Sequence, residues 1–311
     1  MHPATLREIK QHALNMRRNI IKMLSASGSG HTAGPLGLAD IFAALYFDIL
    51  RYNRDDPNDP DRDIFVLSSG HVVPVQYAAL AEAGLIPEEE LMTLRKFSSR
   101  LQGHPEREKL PWLETTSGPL GCGISQGSGM AYAIKNIDHN TKRHVYVVTG
   151  DGELDEGNNW EAIMFANKYH LSNLTVIVDR NNIQIDGATE DVMPLEPLAD
   201  KWQSFGWHVL QVDGNNIENF IDACQMARAV TERPTVIIAY TIPGKGVDFM
   251  ENDYHWHGKA PNEEEARRAS RISAVGGNMK RVLGFIVALL SGLGILYLAI
   301  PIWIGLEPIP Y

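Results

Sequence analysis

His144-Val145-Tyr146-Val147-Val148-Thr149-Gly150-Asp151-Gly152 is the stretch whose reading decides the fold of this chain. An apolar, β-branched run ends in a small acidic turn. A second run, Leu174-Thr175-Val176-Ile177-Val178-Asp179, ends in Asn181-Asn182, and residues 160–170 between the two have helical spacing. Two strands joined by a helix make a βαβ unit, whose parallel strands carry both polar ends to one edge of the sheet. Asp151 and Asn181, far apart in the chain, then meet in space. Each offers a hard oxygen of the kind Mg²⁺ or Ca²⁺ takes, and Mg²⁺ commonly completes its shell with phosphate oxygens and water. Gly150 and Gly152 would let backbone N–H groups approach a diphosphate closely. The spacing predicts a site for a metal-diphosphate cofactor. Taken singly, Asp-Gly and Asn-Asn are ordinary turn sequences that need no ligand.

The composition suits that reading. With 311 residues, 44% hydrophobic and 21% charged, the chain can bury a sizeable core as one large domain or two small ones. A formal net charge of −10 and no basic stripe argue against nucleic acid as a partner. An acidic protein that binds an anionic cofactor must neutralise it locally, with a divalent cation and histidines. The only cysteines, Cys122 and Cys224, lack metal-ligand spacing and point to a reducing, cytoplasmic setting without disulfides. The polar N-terminal segment has no signal-peptide character.

Strands alternating with helices predict an α/β fold, a parallel sheet covered by helices on both faces. Helices are expected over 5–25, 38–50, 75–83, 87–96 and 217–229, and strands over 64–67, 208–212 and 235–240. Residues 1–262 form the expected cofactor-binding domain, and 263–281 a charged linker. Residues 282–306 contain no charge and reach the roughly 20 residues that span a bilayer. They predict a C-terminal hydrophobic helix that crosses a membrane or docks a partner. Lys280 and Arg281 before it would keep the preceding domain on the cytoplasmic side.

Four histidines lie in small-residue loops: His31 after Ser29-Gly30, His71 after Ser69-Gly70, His104 in Gly103-His104-Pro105, and His257 in Trp256-His257-Gly258. A loop histidine alone is commonly a solvated or capping residue. Four of them beside glycines could surround a ligand, donate to hydroxyls and exchange protons near neutral pH. A sugar phosphate offers all of these targets.

Read together, the motifs resemble transketolase over about residues 5–262. The Gly150–Asn182 pattern is similar to the thiamine-diphosphate motif. In order along the chain come Ser29-Gly30-His31, Leu38-Ala39-Asp40, Asp61-Arg62-Asp63, Ser69-Gly70-His71, Gly103-His104-Pro105, Thr116-Ser117-Gly118-Pro119-Leu120-Gly121, Ile185-Asp186-Gly187, Gly206-Trp207-His208 and His257-Gly258-Lys259-Ala260-Pro261. The resemblance implies the thiamine-diphosphate-binding fold and the transfer of a two-carbon ketol unit from a ketose phosphate to an aldose phosphate. It implies Asp151, Asn181 and the Ile183 carbonyl as metal ligands for Mg²⁺ or Ca²⁺. It places Gly118, Leu120, Gly150 and Gly152 against the cofactor. His31 and His104 would meet sugar hydroxyls and the reacting carbonyl, and His71 and His257 the diphosphate and the reaction centre. Glu156 and Glu161 match acids that link active sites across an interface, although two acids early in a helix are also ordinary capping residues.

Two departures stand out. His31-Thr32-Ala33-Gly34 replaces the family's frequent His-Pro-Gly. Lys245, where many relatives lack a base, is a candidate partner for the diphosphate or a substrate phosphate. Too few residues follow Gly258 for a second domain of roughly 100 residues. The pyrimidine-binding domain and its activating glutamate are therefore expected from a separate C-terminal transketolase chain in an α2β2 assembly. The alternatives are an α-type subunit of a 2-oxoacid dehydrogenase, a deoxyxylulose-phosphate synthase-like chain, or a noncatalytic membrane-tethered scaffold.

Overall fold

The computed structural model describes residues 4–140 and 142–272. The expected hydrophobic helix at 282–306 lies outside the described residues. Among the described residues no helix is long and apolar enough to cross a membrane.

The helices are α1 (Leu6–Ser27), α2 (Ala33–Ala44), α3 (Val73–Glu82), α4 (Gly123–Tyr132), α5 (Gly157–Lys168), α6 (Thr189–Val192), α7 (Leu198–Ser204), α8 (Ile217–Ala229) and α9 (Glu263–Ile272). The strands are β1 (Ile64–Leu67), β2 (Val145–Gly150), β3 (Leu174–Arg180), β4 (Ile183–Gln184), β5 (Gly187–Ala188), β6 (His208–Asp213) and β7 (Thr235–Tyr240). Five of them form one sheet in the order β1-β2-β3-β7-β6, every pair parallel, while β4 and β5 make a separate antiparallel hairpin.

Alternation along the strands builds two cores. Phe65, Leu67, Tyr146, Val148, Ile177 and Ile237 face one layer, with Met16, Ile20 and Leu24 of α1, Phe42 of α2 and Phe220 of α8. Ile64, Val66, Val145, Val147, Val176, Val178 and Ile238 face the other, with Ile124 of α4, Ile163 of α5, and the indoles of Trp202 and Trp207. Burial on both faces is why these strands read as unbroken apolar runs.

Local chemistry sets the helix ends. Thr5 caps α1 reciprocally with Glu8, and Gly28 closes it at φ 67°. The helix expected from 38 starts five residues earlier, at Ala33, because Pro35 is tolerated within a first turn. It then widens into a π-helical turn at Leu45–Ile49. The expected helix at 87–96 is a 3₁₀ segment, Glu88–Thr93. The charged stretch read as a linker is helical over Glu263–Ile272, packs on α1, and buries Ala269 in the first core.

Parallel pairing sets Leu67 beside Val148 and Gly150 beside Asp179. The turns after β1, β2 and β3 therefore open on one carboxyl edge, where ligands of open parallel sheets bind.

Candidate cofactor cleft

A cavity of about 360 Å³ occupies that edge. Ser69 and His71 reach it from the turn after β1, Gly150, Asp151, Gly152 and Glu153 from the turn after β2, and Asn181 and Ile183 from the turn after β3. The α1–α2 loop adds His31, the loop ahead of α4 adds His104, Gly118 and Leu120, and the loop after β7 adds His257. The four loop histidines, the glycine turn and the expected metal ligands thus share one cleft. Lys245 is not among the residues lining it. Glu156 sits at the N-terminus of α5 and Glu161 in its first half, both exposed and outside the cleft.

Asp151 is almost wholly buried. Its Oδ1 accepts from Gly152 N at 2.8 Å, and its Oδ2 from Asn182 N at 2.8 Å and Arg180 Nη1 at 2.9 Å. Asn182 reaches it through a left-handed φ of 63°, which asparagine tolerates better than most residues. Burial pushes the Asp151 carboxyl up, while the Asn182 N–H and Arg180 act in the other direction. Asn181 Nδ2 donates to Asp179 at 2.7 Å, and its Oδ1 accepts from Ile183 N at 3.0 Å. Asp179 also accepts from Thr241, and burial pushes it up to about 7.

Three imidazoles cluster opposite. Ring centroids are 4.8 Å apart for His31 and His71, 5.3 Å for His71 and His257, and 5.6 Å for His31 and His257. Burial, then the charge His257 would carry, pushes His31 down to about 4. His71 is held well below its ordinary range by burial and then by His31, and His257 is lowered by burial. His104 is lowered by burial and then by Arg95. At neutral pH these rings are uncharged, each with one donor and one acceptor nitrogen. Close packing holds the loops in place: a Cβ on Gly70 would lie 2.6 Å from Ser117 Oγ and 3.1 Å from Gly118 N. Thr32, instead of capping α2, donates to the Lys259 carbonyl and ties the His31 loop to the His257 loop.

The residues present fit a divalent cation carrying a diphosphate. No group of three or more His, Cys, Asp or Glu side chains gathers as a metal site among the described residues. Asp151, Asn181 and Ile183, all in the cleft lining, offer instead a carboxylate, an amide and a backbone carbonyl, oxygens of the kind a hard cation prefers. The buried His31 Nδ1 has no hydrogen-bond partner, so a polar group in the cleft would satisfy it. A Cβ on Gly152 would overlap Gln184 at 2.8 Å, which keeps this turn close to the β4–β5 hairpin.

Sequence reasoning passed over two buried charges here. Glu153 accepts from Ser68 Oγ, Gly121 N, Thr149 Oγ1 and Gly150 N. Arg180 pairs with Asp151, Glu190 and Glu196. A charged residue at the end of an apolar strand was the available signal, because a buried charge demands partners.

Fold and cleft together define an α/β domain whose cleft, at the carboxyl edge of a parallel sheet, fits a diphosphate cofactor with a divalent metal. The family described as "Transketolase, thiamine diphosphate binding domain" matches residues 9–280. The chain is 41% identical over 257 residues to one of the subunits of the apulose-4-phosphate transketolase of Phocaeicola vulgatus, covering 82% of this chain and 90% of that protein. It is 40% identical over 255 residues to the SqwG subunit of the 6-deoxy-6-sulfo-D-fructose transketolase of a Clostridium species, covering 82% and 92%. The solved transketolase of Leishmania mexicana superposes with a TM-score of 0.82 at 31% identity, over 94% of this chain and 46% of that one. The chain belongs to the transketolase family, as its thiamine-diphosphate-binding section. It is part of a transferase that uses thiamine diphosphate with a divalent metal, and it spans less than half the length of the solved transketolase it matches.

Proposed function

We propose that this chain is the diphosphate-binding subunit of a two-chain, Mg²⁺-dependent transketolase moving a two-carbon ketol unit from a ketose phosphate to an aldose phosphate. The observation that carries the proposal is the single cleft in which Asp151, Asn181 and Ile183 face His31, His71, His104 and His257. The relatives from Phocaeicola and Clostridium are themselves named as subunits, which supports a partner chain that completes the site. An α2β2 assembly follows if Glu156 and Glu161, exposed along α5, meet a second copy of this chain. The apolar run at 282–306 is read as a membrane or docking segment from its composition alone.

Thiamine diphosphate, when bound, supplies the group that carries the two-carbon unit between sugars. This chain's part is to hold and to shuttle protons. Asp151, Asn181 and the Ile183 carbonyl would bind the metal. The Gly150 and Gly152 N–H groups, expected from the sequence to meet the diphosphate, are instead given to Glu153 and Asp151, so these glycines serve the site by carrying no side chain there. Neutral His31 and His104 donate to the substrate carbonyl and hydroxyl oxygens, and each can accept a proton at its free nitrogen. Lys245, outside the cleft lining, would have to act on a phosphate through movement of its loop.

The test is co-expression with the neighbouring partner chain. Transfer from xylulose 5-phosphate to ribose 5-phosphate is assayed with thiamine diphosphate and Mg²⁺, against Asp151→Ala. Activity that needs both chains and Asp151 supports the proposal; full activity of this chain alone overturns the two-chain reading. The names of the relatives make apulose 4-phosphate and 6-deoxy-6-sulfofructose the next donors to try.

A further inference from the structure

We propose that Arg180 is a positioning residue that fixes Asp151 as a one-oxygen ligand, so that the site selects a small octahedral cation over a larger, more permissive one. The inference rests on the metal-diphosphate reading of the cleft.

Arg180 ends β3 and its side chain is 3% exposed. Nη1 donates to Asp151 Oδ2 at 2.9 Å, while Nη2 donates to Glu190 at 2.5 Å and Glu196 at 3.1 Å. The two glutamates stand on the segment that follows the β4–β5 hairpin, and they hold the guanidinium through its other terminal nitrogen. Oδ2 is further engaged by Asn182 N at 2.8 Å and Thr189 Oγ1 at 3.3 Å. Three donors thus consume Oδ2, whereas Oδ1 has only the Gly152 N–H. A carboxylate locked in this way offers one oxygen in a fixed direction. Mg²⁺ demands near-ideal octahedral geometry at short distance, whereas Ca²⁺ accepts more ligands, including both oxygens of one carboxylate. A planar guanidinium can hold Asp151 and two glutamates at once; an ammonium on a flexible stem keeps the charge but not that fork.

The experiment uses the full chain purified with its partner. Mg²⁺ or Ca²⁺ is titrated at saturating thiamine diphosphate, and binding is read from tryptophan fluorescence, independently of turnover. In R180K the half-saturating Mg²⁺ concentration should rise about 10-fold or more, as for loss of other groups that orient metal ligands. Ca²⁺ should rise less, so the preference for Mg²⁺ narrows. The double variant E190Q/E196Q, altered on the exposed side, should move in the same direction by a smaller factor, and it decides the question if R180K does not fold. An equal rise for both ions marks a merely structural arginine and overturns the proposal, as does no rise at all. If the wild-type signal needs no metal and D151A matches it, the cofactor reading itself fails, a result distinct from Arg180 failing alone.

Discussion

The Gly121 N–H donates to the buried Glu153 carboxylate at 2.9 Å, joining the loop ahead of α4 to the turn after β2. The same carboxylate accepts from Thr149 Oγ1 at 2.8 Å, from Gly150 N at 3.1 Å and from Ser68 Oγ. One side chain therefore sets the spacing of three cleft walls. Replacing it with alanine strands four donors, three of them buried, and a buried donor left unpaired costs about 1–3 kcal/mol, with partial recovery through water. Glu153→Ala should lose at least about 3 kcal/mol in urea unfolding and weaken cofactor binding. A loss under about 1 kcal/mol would show that these walls stand without it.

Two glycines of α4 should respond oppositely to alanine. A Cβ on Gly127 would lie 2.4 Å from Val147 Cγ2, with Val145 and Leu174 close behind, so Gly127→Ala should cost about 1–3 kcal/mol through overpacking. Gly129 has nothing within 4 Å, and alanine there should stabilise by about 0.5–1 kcal/mol through helix propensity. Chemical denaturation of the two variants beside wild type reads both signs. The same sign in both would mean that the β2 contact does not govern this helix.

What the sequence made legible follows from which forces are local. The βαβ unit, α8 and β7 were readable because burial on both faces of a parallel sheet leaves unbroken apolar runs, and helix α8 carries its own stripe of Ile217, Phe220, Cys224 and Ala227. The start of α2 was not. Ala33-Gly34-Pro35 reads as a turn, and its helical state leans on Thr32 bonding Lys259, a contact 227 residues away in the chain. Asp151 and Asn181, which the structure brings into one cleft, could be singled out from the sequence, but Arg180 could not be assigned. Its partners Glu190 and Glu196 arrive only when the hairpin folds back. For Lys245, a base where many relatives lack one suggested a phosphate partner, yet a charge in a loop does not determine which way that loop lies.

His144 makes acid stability testable. It is buried between β1 and β3, its Nε2 is 2.8 Å from Thr175 Oγ1, and burial followed by Arg228 pushes it from 6.5 down to about 3. The unfolded chain thus binds a proton that the folded chain refuses throughout that window. Stability rises with pH there: the contribution is complete above 6.5 and is lost as pH falls toward 3, at about 1.4 kcal/mol per pH unit. His144→Gln removes the titration while retaining a polar group for Thr175. Unfolding free energies at pH 6 and pH 5 should differ by about 1.4 kcal/mol less in the variant than in wild type. Equal differences would mean that His144 is protonated in the folded chain.

The three clustered imidazoles should couple cofactor binding to protons. His31, His71 and His257 are depressed by burial, His31 also by His257 and His71 also by His31 and His257. A diphosphate beside them reverses that balance, since an anion favours the charged ring. Their affinities for protons must rise on binding, and by linkage the cofactor must bind more tightly as pH falls from 8 to 6.5. The diphosphate's own ionisation and its metal contribute equally to wild type and variant, so the comparison isolates the protein. Calorimetry of the full chain with its partner, in two buffers of different ionisation enthalpy, counts the protons taken up per thiamine diphosphate bound. His71→Gln should take up fewer protons than wild type and show a flatter pH dependence of affinity. Its affinity should fall about 10-fold through loss of one charge-assisted hydrogen bond. Identical proton counts would place His71 away from the diphosphate, leaving it to act on the sugar alone.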